Sequence, residues 1–414
     1  MTAPNAHPTR REFLRLAAGG VAAVGLGLTP PQGTSGLPSG GPGRSFRVWC
    51  FGDAHVGTDA RHGCDDLATA LRQSEEGGPE GAPPIDWDLA LNVGDDSGSA
   101  RWPTDEEGRD VLVPQYKVLK KHRREQIYNV SGNHDRSLDN GAWFRRWSDP
   151  LGEHTGSSGV DARQRPYPVE GTWERYAFRA GNLLFLLMSD VLETTHPDYA
   201  PLVTLRGQGK IGGLPGGVVS ADTVAWFKDQ VLGHPDALVI AAHHYVLRQT
   251  TVASGDYEGF RRLADGRYAS KYHGYSPAMG EHAKGASYLY WQAGQAGGGS
   301  LDRFLAEHSG RVALWIGGHT HARPGDQMGG RSHIETACGG THFINCAALT
   351  RFHAASGCSV SRLLTFTEGS TDVRVQCYVH HGGPKPSDAA AAADKVGWYP
   401  PEEKVLRLPR VYHA

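Results

Sequence analysis

The chain has 414 residues, with 42 Lys and Arg against 44 Asp and Glu and a formal net charge of −2. That length can bury one large core or two small ones, and so even a charge balance excludes the basic field that draws proteins to nucleic acid. With 55 Gly and 25 Pro the chain must carry many loops, and 21 His make metal chemistry the first possibility to test. No apolar run reaches the ~18 residues that a membrane-spanning helix requires.

In chain order the first segment is "TRREFLRLAAGGVAAVGLGLTPPQG". Arg10 and Arg11 precede Glu12, Phe13 and Leu14, an apolar stretch runs from Leu14 to Leu28, and Pro, Gly and Ser follow. A basic start, a short Gly-rich apolar middle and a polar end describe an export signal and not a span. The Arg pair with its Phe-Leu resembles the twin-arginine signal, so residues 1–43 are expected to be signal and linker. The resemblance implies the twin-arginine translocation machinery as a partner and a periplasmic or extracellular destination. It also implies carriage of an already folded protein, often with its cofactor inserted. No Cys follows the apolar run, so a lipoprotein anchor is not supported. The cysteines, Cys50, Cys64, Cys338, Cys346, Cys358 and Cys377, contain no C-x-x-C pair, which points away from a zinc ribbon or redox motif. Export permits disulfides between them.

Beyond the signal, short apolar runs alternate with polar loops. "FRVWCFG", "DLALNVG", "IYNVSG", "NLLFLLMSD", "ALVIAAHHY" and "RVALWIGG" read as buried strands bounded by turn residues. "DVLVPQYKVLKKH", "ADTVAWFKDQVL" and "SLDRFLAEHSG" read as helices, and "THFINCAALT", "CSVSRLLTFTEG" and "DVRVQCYVHH" as closing strands. The mixed order predicts an α/β sandwich with helices covering central sheets, spanning residues 44–381. Two irregular stretches, Thr194–Val219 and Tyr245–Gly299, read as insertions, and the aromatic content of the second makes it a candidate substrate wall. Residues 382–414 are expected to form an extended tail along the surface.

Five of the predicted strands end in polar clusters: Asp53 and His55 in "FGDAHVG", Asp95 and Asp96 in "NVGDDSG", Asn133, His134 and Asp135 in "VSGNHDR", His243 and His244 in "AAHHY", and His319 and His321 in "GGHTHA". Singly each fits an ordinary turn or cap. Together they sit at the carboxyl ends of strands, where α/β sheets form their ligand crevice. Carboxylate, imidazole and amide donors without thiolate suit Mn, Fe, Co or Zn. If Asp95 bridges two divalent ions, Asp53, His55 and His321 complete one set, and Asn133, His243 and His319 the other. The alternate side chains of "HTH" then serve different ions, with Thr320 pointing away.

These blocks, Asp-x-His, Gly-Asp, Gly-Asn-His-Asp, His and Gly-His-x-His in that order from about Phe46 to His321, resemble the calcineurin-like metallophosphoesterase superfamily. The resemblance implies a four-layer α/β/β/α sandwich, a two-metal hydrolytic site with this ligand set, and His134 as a non-ligand histidine near the leaving group. Two departures bear on the site. Purple acid phosphatases carry a tyrosine, and protein serine/threonine phosphatases an aspartate, where Gly98 stands here, so neither variant of the centre is expected. Many relatives have proline after the His pair where Tyr245 stands here. That leaves His243 and His244 as alternatives, of which strand alternation admits one and the resemblance favours His243.

The expected function is that of an exported hydrolase acting on small phosphate mono- or diesters. A metal-bridging hydroxide would attack phosphorus in line, and His134 would protonate or stabilise the leaving alkoxide. Asp96 and Asp135 are expected to orient ligand imidazoles, and Arg136 to bind substrate. The rival reading, a secreted binding protein that keeps the fold without catalysis, predicts missing ligands, yet every position is filled.

Overall fold

The computed structural model describes residues 43–192, 199–258, 260–262, 268–270, 284–353, 358–382 and 395–414. The predicted export signal, most of "YASKYHGYSPAMG" and the Ala-rich start of the tail lie outside the described residues.

In chain order the strands are β1 (Ser45–Phe51), β2 (Leu89–Asn92), β3 (Ile127–Asn129), β4 (Glu170–Thr172), β5 (Arg175–Ala180), β6 (Leu183–Met188), β7 (Val218–Val219), β8 (Leu238–Ala242), β9 (Phe260–Arg262), β10 (Tyr268–Ser270), β11 (Trp291–Gln292), β12 (Val312–Gly317), β13 (Ile334–Ala337), β14 (Thr341–Asn345), β15 (Cys358–Thr367), β16 (Asp372–Gly382), β17 (Gly397–Trp398) and β18 (Lys404–Arg407). Two mixed sheets hold most of them. One runs β17-β16-β15-β1-β2-β3, with β18 also on β16; the other runs β13-β14-β12-β8-β6-β5-β4. In the first sheet β1, β2 and β3 are parallel neighbours. In the second, β6, β8, β12 and β14 are parallel.

The layering follows from residue alternation along the strands. Val48 and Cys50 of β1 join Leu89, Leu91, Phe185, Ile240 and Leu314 in the core between the sheets. Trp49 and Phe51, one residue out of phase, face the other way and meet Leu67, Leu71, Trp143 and Trp147. Leu184 and Leu186 of β6 likewise turn outward onto Val224, Phe227, Phe304 and Leu305. Those outer partners ride on helices Asp66–Glu76, Ala142–Trp147, Ala221–Gly233 and Ser300–Glu307. The buried residues of Ala221–Gly233 fall at helical spacing, Val224, Phe227 and Val231, and its start is capped by Ser220 Oγ, which accepts the Thr223 N–H at 3.2 Å. Helix, sheet, sheet, helix is the order of the layers.

Two of the predicted segments take a different form. "DVLVPQYKVLKKH" is not one α-helix: Glu107–Leu112 is wound as a π-helix and only Val113–Tyr116 is α-helical. The end of the chain, expected as a tail, adds β17 and β18 to β16. The two stretches read as insertions also meet. β7 pairs in parallel with β11, and Tyr199, Leu202, Leu214, Ala286 and Trp291 form a small core beneath them.

Candidate metal centre

The parallel strands of both sheets point their carboxyl ends at one place. Just past β1, Asp53 Oδ2 accepts the His319 N–H at 3.0 Å, and its Oδ1 lies 3.0 Å from His321 Nε2. Just past β2, Asp95 Oδ2 lies 3.1 Å from His244 Nε2 and 3.6 Å from His55 Nε2. Asn133, past β3, brings Oδ1 to 3.1 Å from His244 Nε2. Asp53, His55, Asp95 and His321 form one group whose ligand atoms lie within 4.8 Å of one another; Asp95, His244 and His319 form another. None of these residues, nor Asn133, is more than 4 % exposed. Thr320, between the two histidines of "HTH", instead accepts a hydrogen bond at 3.0 Å from Asn345 Nδ2.

The imidazoles are oriented by backbone carbonyls. His55 Nδ1 lies 3.0 Å from Ser97 O, His244 Nδ1 2.8 Å from Val93 O, His319 Nε2 3.0 Å from Ala286 O and His321 Nδ1 3.3 Å from His353 O. A carbonyl only accepts, so each of these nitrogens carries the proton and the opposite nitrogen is the one turned to the cluster. Inward-facing imidazole nitrogens and two buried carboxylates require positive charge among them, and an N/O donor set of this kind fits divalent ions. The same demand appears in the titration of the groups. Burial lowers His244, but Asp95 and Asp53 outweigh it and push it up to about 10. Burial raises Asp95, but His244 and His134 hold it well below the carboxylate range. His55 goes down, through burial and then its neighbours His353, His134 and His321.

Strain marks the same loops. Asp53, His55, Asp95, His319 and His321 all have positive φ, between 41° and 69°, a conformation that costs non-glycine residues about 1–3 kcal/mol each. Gly98 explains its departure from the relatives: a Cβ there would stand 2.3 Å from Thr58 N and 2.5 Å from His55 O, leaving no room for a tyrosine or an aspartate.

Four sequence expectations need correction. The structure brings His244 to the cluster and not His243. His243 N–H still pairs with Ile316 O at 3.1 Å, as if β8 continued, so its ring turns away. Its Nδ1 accepts the Tyr245 N–H at 2.9 Å, and its Nε2 lies 3.8 Å from Asp190 Oδ1. Arg136 does not face the cluster either: its guanidinium is buried in an ion pair with Asp190 and donates to Gly216 O at 3.0 Å. Asp96 and Asp135 orient no imidazole. Asp96 accepts Asn92 Nδ2 at 2.8 Å and Ser148 Oγ at 2.6 Å. Asp135 accepts the backbone N–H groups of Asp95, Ser97 and Gly132, each at 2.8 Å, and so fixes the loop that carries Asp95.

His134 stands beside the cluster. Its backbone N–H donates to Asp95 Oδ1 at 2.7 Å, and its ring meets His55 edge-on at 4.6 Å. Burial takes its pKa down to about 3, against the pull of Asp95, so the ring is neutral, and its buried Nδ1 has no hydrogen-bond partner within the protein. The first insertion covers it. A Cβ on Gly213 would lie 1.8 Å from Asn133 Nδ2 and 2.7 Å from His134 Nε2, so only glycine lets the cover sit this close.

Two residues were missed in the sequence. Arg206, on the helix Ala200–Gly207 of the first insertion, is fully buried and donates to Asn133 O at 2.6 Å and His134 O at 2.7 Å. Its signal was a single arginine in the otherwise uncharged "APLVTLRG". His353 stacks on His55 with ring centroids 3.8 Å apart. It lies well beyond the end of β14, at Asn345, too far along the loop for a polar cluster at the strand end to mark it.

The His assignment is directly testable. His244→Ala is expected to lower metal content by at least one ion per chain, while His243→Gln keeps the wild-type content. Equal loss in the two purified variants, by elemental analysis, would reverse the assignment.

Among known proteins, a family model described as calcineurin-like phosphoesterase matches residues 46–323, and a model described as ubiquitinol-cytochrome C reductase Fe-S subunit TAT signal matches residues 1–29. Among curated proteins, none matches. Solved structures with a similar course include a predicted phosphoesterase from Streptococcus pneumoniae, 10% identical over 88% of this chain and 98% of that one, with a TM-score of 0.32. GAP50, the anchor in the inner membrane complex of Plasmodium, is 9% identical over 86% of this chain and 89% of its own, with a TM-score of 0.38. The phosphoesterase match takes in every loop from Asp53 to His321, and by it the chain belongs to the calcineurin-like phosphoesterase family.

Proposed function

We propose that the protein hydrolyses small phosphate esters, mono- or diesters, at a centre of two divalent ions held by Asp53, His55, Asp95, Asn133, His244, His319 and His321. The observation that carries this reading is the set of carbonyl-oriented imidazoles turned onto two buried carboxylates. Two ions in such a set supply Lewis acidity at the phosphoryl oxygens and a source of hydroxide at neutral pH. Asp95 is the member common to both ligand groups. Asp135 keeps that carboxylate in place through the backbone, and Arg206 ties down the carbonyls of Asn133 and His134. His134, neutral and buried, offers an N–H to the leaving oxygen. The cover formed by the first insertion keeps bulk water from this side of the ring.

The test is turnover by protein stripped and reloaded with Mn, Fe, Zn or Co, using p-nitrophenyl phosphate and bis(p-nitrophenyl) phosphate. Metal-dependent release from either ester supports the proposal. Metal binding without release from both would make the chain a binding protein on this fold.

The match of the twin-arginine signal model to residues 1–29 supports export by that route, and among the described residues no helix is long and apolar enough to cross a membrane. Replacing Arg10 and Arg11 with Lys is expected to hold folded, active protein in the cytoplasm. Normal export of the double variant, followed by cell fractionation, would refute the route.

A further inference from the structure

We propose that Tyr245 is a positioning residue for His134: its hydroxyl holds the first insertion against the imidazole and so keeps the proton donor aimed at the leaving group. The inference rests on the phosphoesterase reading above.

His134 depends on its neighbours for its aim. Nδ1 has no hydrogen-bond partner in the protein, so packing sets the direction of the ring. His55 meets it edge-on at 4.6 Å and 86°, and His353 at 4.6 Å and 89°. Gly212 and Gly213 of the first insertion form another wall. A Cβ on Gly212 would stand 3.2 Å from His134 Cε1, and one on Gly213 2.7 Å from His134 Cδ2. Neither glycine has a positive φ, so what the site requires there is the missing side chain and not an unusual backbone conformation.

Two arginines tie the insertion to the loop of His134. Arg206 donates to Asn133 O at 2.6 Å and His134 O at 2.7 Å, and Arg136 donates to Gly216 O at 3.0 Å. Neither reaches the glycines that lie between residues 206 and 216. Tyr245 does so from the other sheet, where it follows β8. Its hydroxyl donates to Leu214 O at 3.3 Å, one residue past Gly213. A carbonyl only accepts, so the phenol supplies the proton of that bond. Both residues are fully buried, where a hydrogen bond is not exchanged for one to water.

Tyr245 is itself fixed in the frame of the metal centre. Its N–H donates to His243 Nδ1 at 2.9 Å, and its carbonyl accepts Trp315 Nε1 at 3.2 Å. Its ring lies 4.0 Å from that of His319, and edge-on to His244 at 5.1 Å. Gly217 makes room for it, since a Cβ there would stand 2.6 Å from Tyr245 Cδ2. The cover over His134 is thus referred to the strand ends that carry His244 and His319. A proline at this position would supply neither the hydroxyl nor the N–H.

The experiment measures kcat, KM and metal content with a p-nitrophenyl ester and an alkyl ester of the class that turns over. The proteins are wild type, Tyr245→Phe, Gly212→Ala, His134→Ala and the double variant of Tyr245→Phe with His134→Ala. Phenylalanine keeps the ring on His319 and removes only the hydroxyl, so metal content should stay at the wild-type level. An imidazole off its line weakens proton donation in the transition state and leaves substrate binding alone. Tyr245→Phe is therefore expected to lower kcat for the alkyl ester about five- to tenfold, with KM and p-nitrophenyl turnover close to wild type. Adding it to His134→Ala should cost nothing further. Gly212→Ala, whose Cβ would press on the ring and meet no metal ligand within 4 Å, should show the same preference between esters. Unchanged alkyl turnover in Tyr245→Phe, an equal fall for both esters, or a further fall in the double variant would overturn the proposal and leave Tyr245 a packing residue. A wild-type protein that hydrolyses neither mono- nor diesters would instead sink the phosphoesterase reading, and this inference with it.

Discussion

Asp95→Ala is expected to abolish hydrolysis and to lower the occupancy of both metal positions, whereas Asp96→Ala keeps its metals and loses stability. Asp95 alone belongs to both ligand groups, with Oδ2 directed at His244 and His55. Its removal takes one donor from each set and leaves inward-facing imidazoles with less negative charge to hold a dication. It also strips the acceptor from the His134 N–H. Asp96, its neighbour, points the other way, and its loss takes the acceptor from Ser148 Oγ and leaves Asn92 Nδ2 only the Tyr116 hydroxyl, in a buried setting. That costs about 1–3 kcal/mol for each unsatisfied group. Elemental analysis and thermal denaturation of the two variants separate the effects. Matching metal loss in both would mean that Asp95 is not the shared ligand.

His134→Ala is expected to leave metal content at the wild-type level and to slow cleavage of alkyl phosphates by about 10²–10⁴-fold. The side chain is outside both groups that contain Asp95, and the backbone N–H that supports Asp95 survives the substitution. A neutral imidazole contributes by donating to the departing oxygen, so its value rises with the basicity of that oxygen. For p-nitrophenyl esters, whose leaving group is stable as an anion, the loss should be clearly smaller. An equal fall for both ester types, at constant metal content, would move His134 from the leaving group to the phosphoryl oxygens. Loss of metal would make it a ligand.

The parts of the site that could be read in the sequence are those written in local chemistry. Asp53, Asp95 and Asn133 follow apolar runs and adjoin glycines, and an apolar run ending in Gly-Asp or Gly-Asn-His carries its own evidence of a strand end. The choice between His243 and His244 was not local. It depends on whether β8 stops pairing at Ala242 or one residue later, and the His243 N–H contact to Ile316 O is a tertiary fact. Arg136 failed for a related reason. Adjacency to Asp135 suggested the site, but the ion pair with Asp190 takes the side chain elsewhere. Arg206 and His353 reach the centre from an insertion and from the loop after β14, through packing that no periodicity announces. The layered fold was legible because alternation on β1 and β6 sorts each residue to one face or the other. The strands added by the chain's end were not, since short runs such as "KVLR" carry little pattern.

The two carboxylates and His55 hang from one sheet, while His244, His319 and His321 hang from the other. Ions bound between them would act as a rivet across the middle of the sandwich. Prising the sheets apart then means giving up coordination bonds, and the same bonds cannot form until the sheets have met. Loading stabilises such a structure by about 4 kcal/mol for each ion when free metal is a thousandfold above its dissociation constant, against about 1–3 kcal/mol of strain at each left-handed ligand residue. Metal content becomes a gauge of completed assembly, and a carrier that accepts only folded cargo would receive the riveted form.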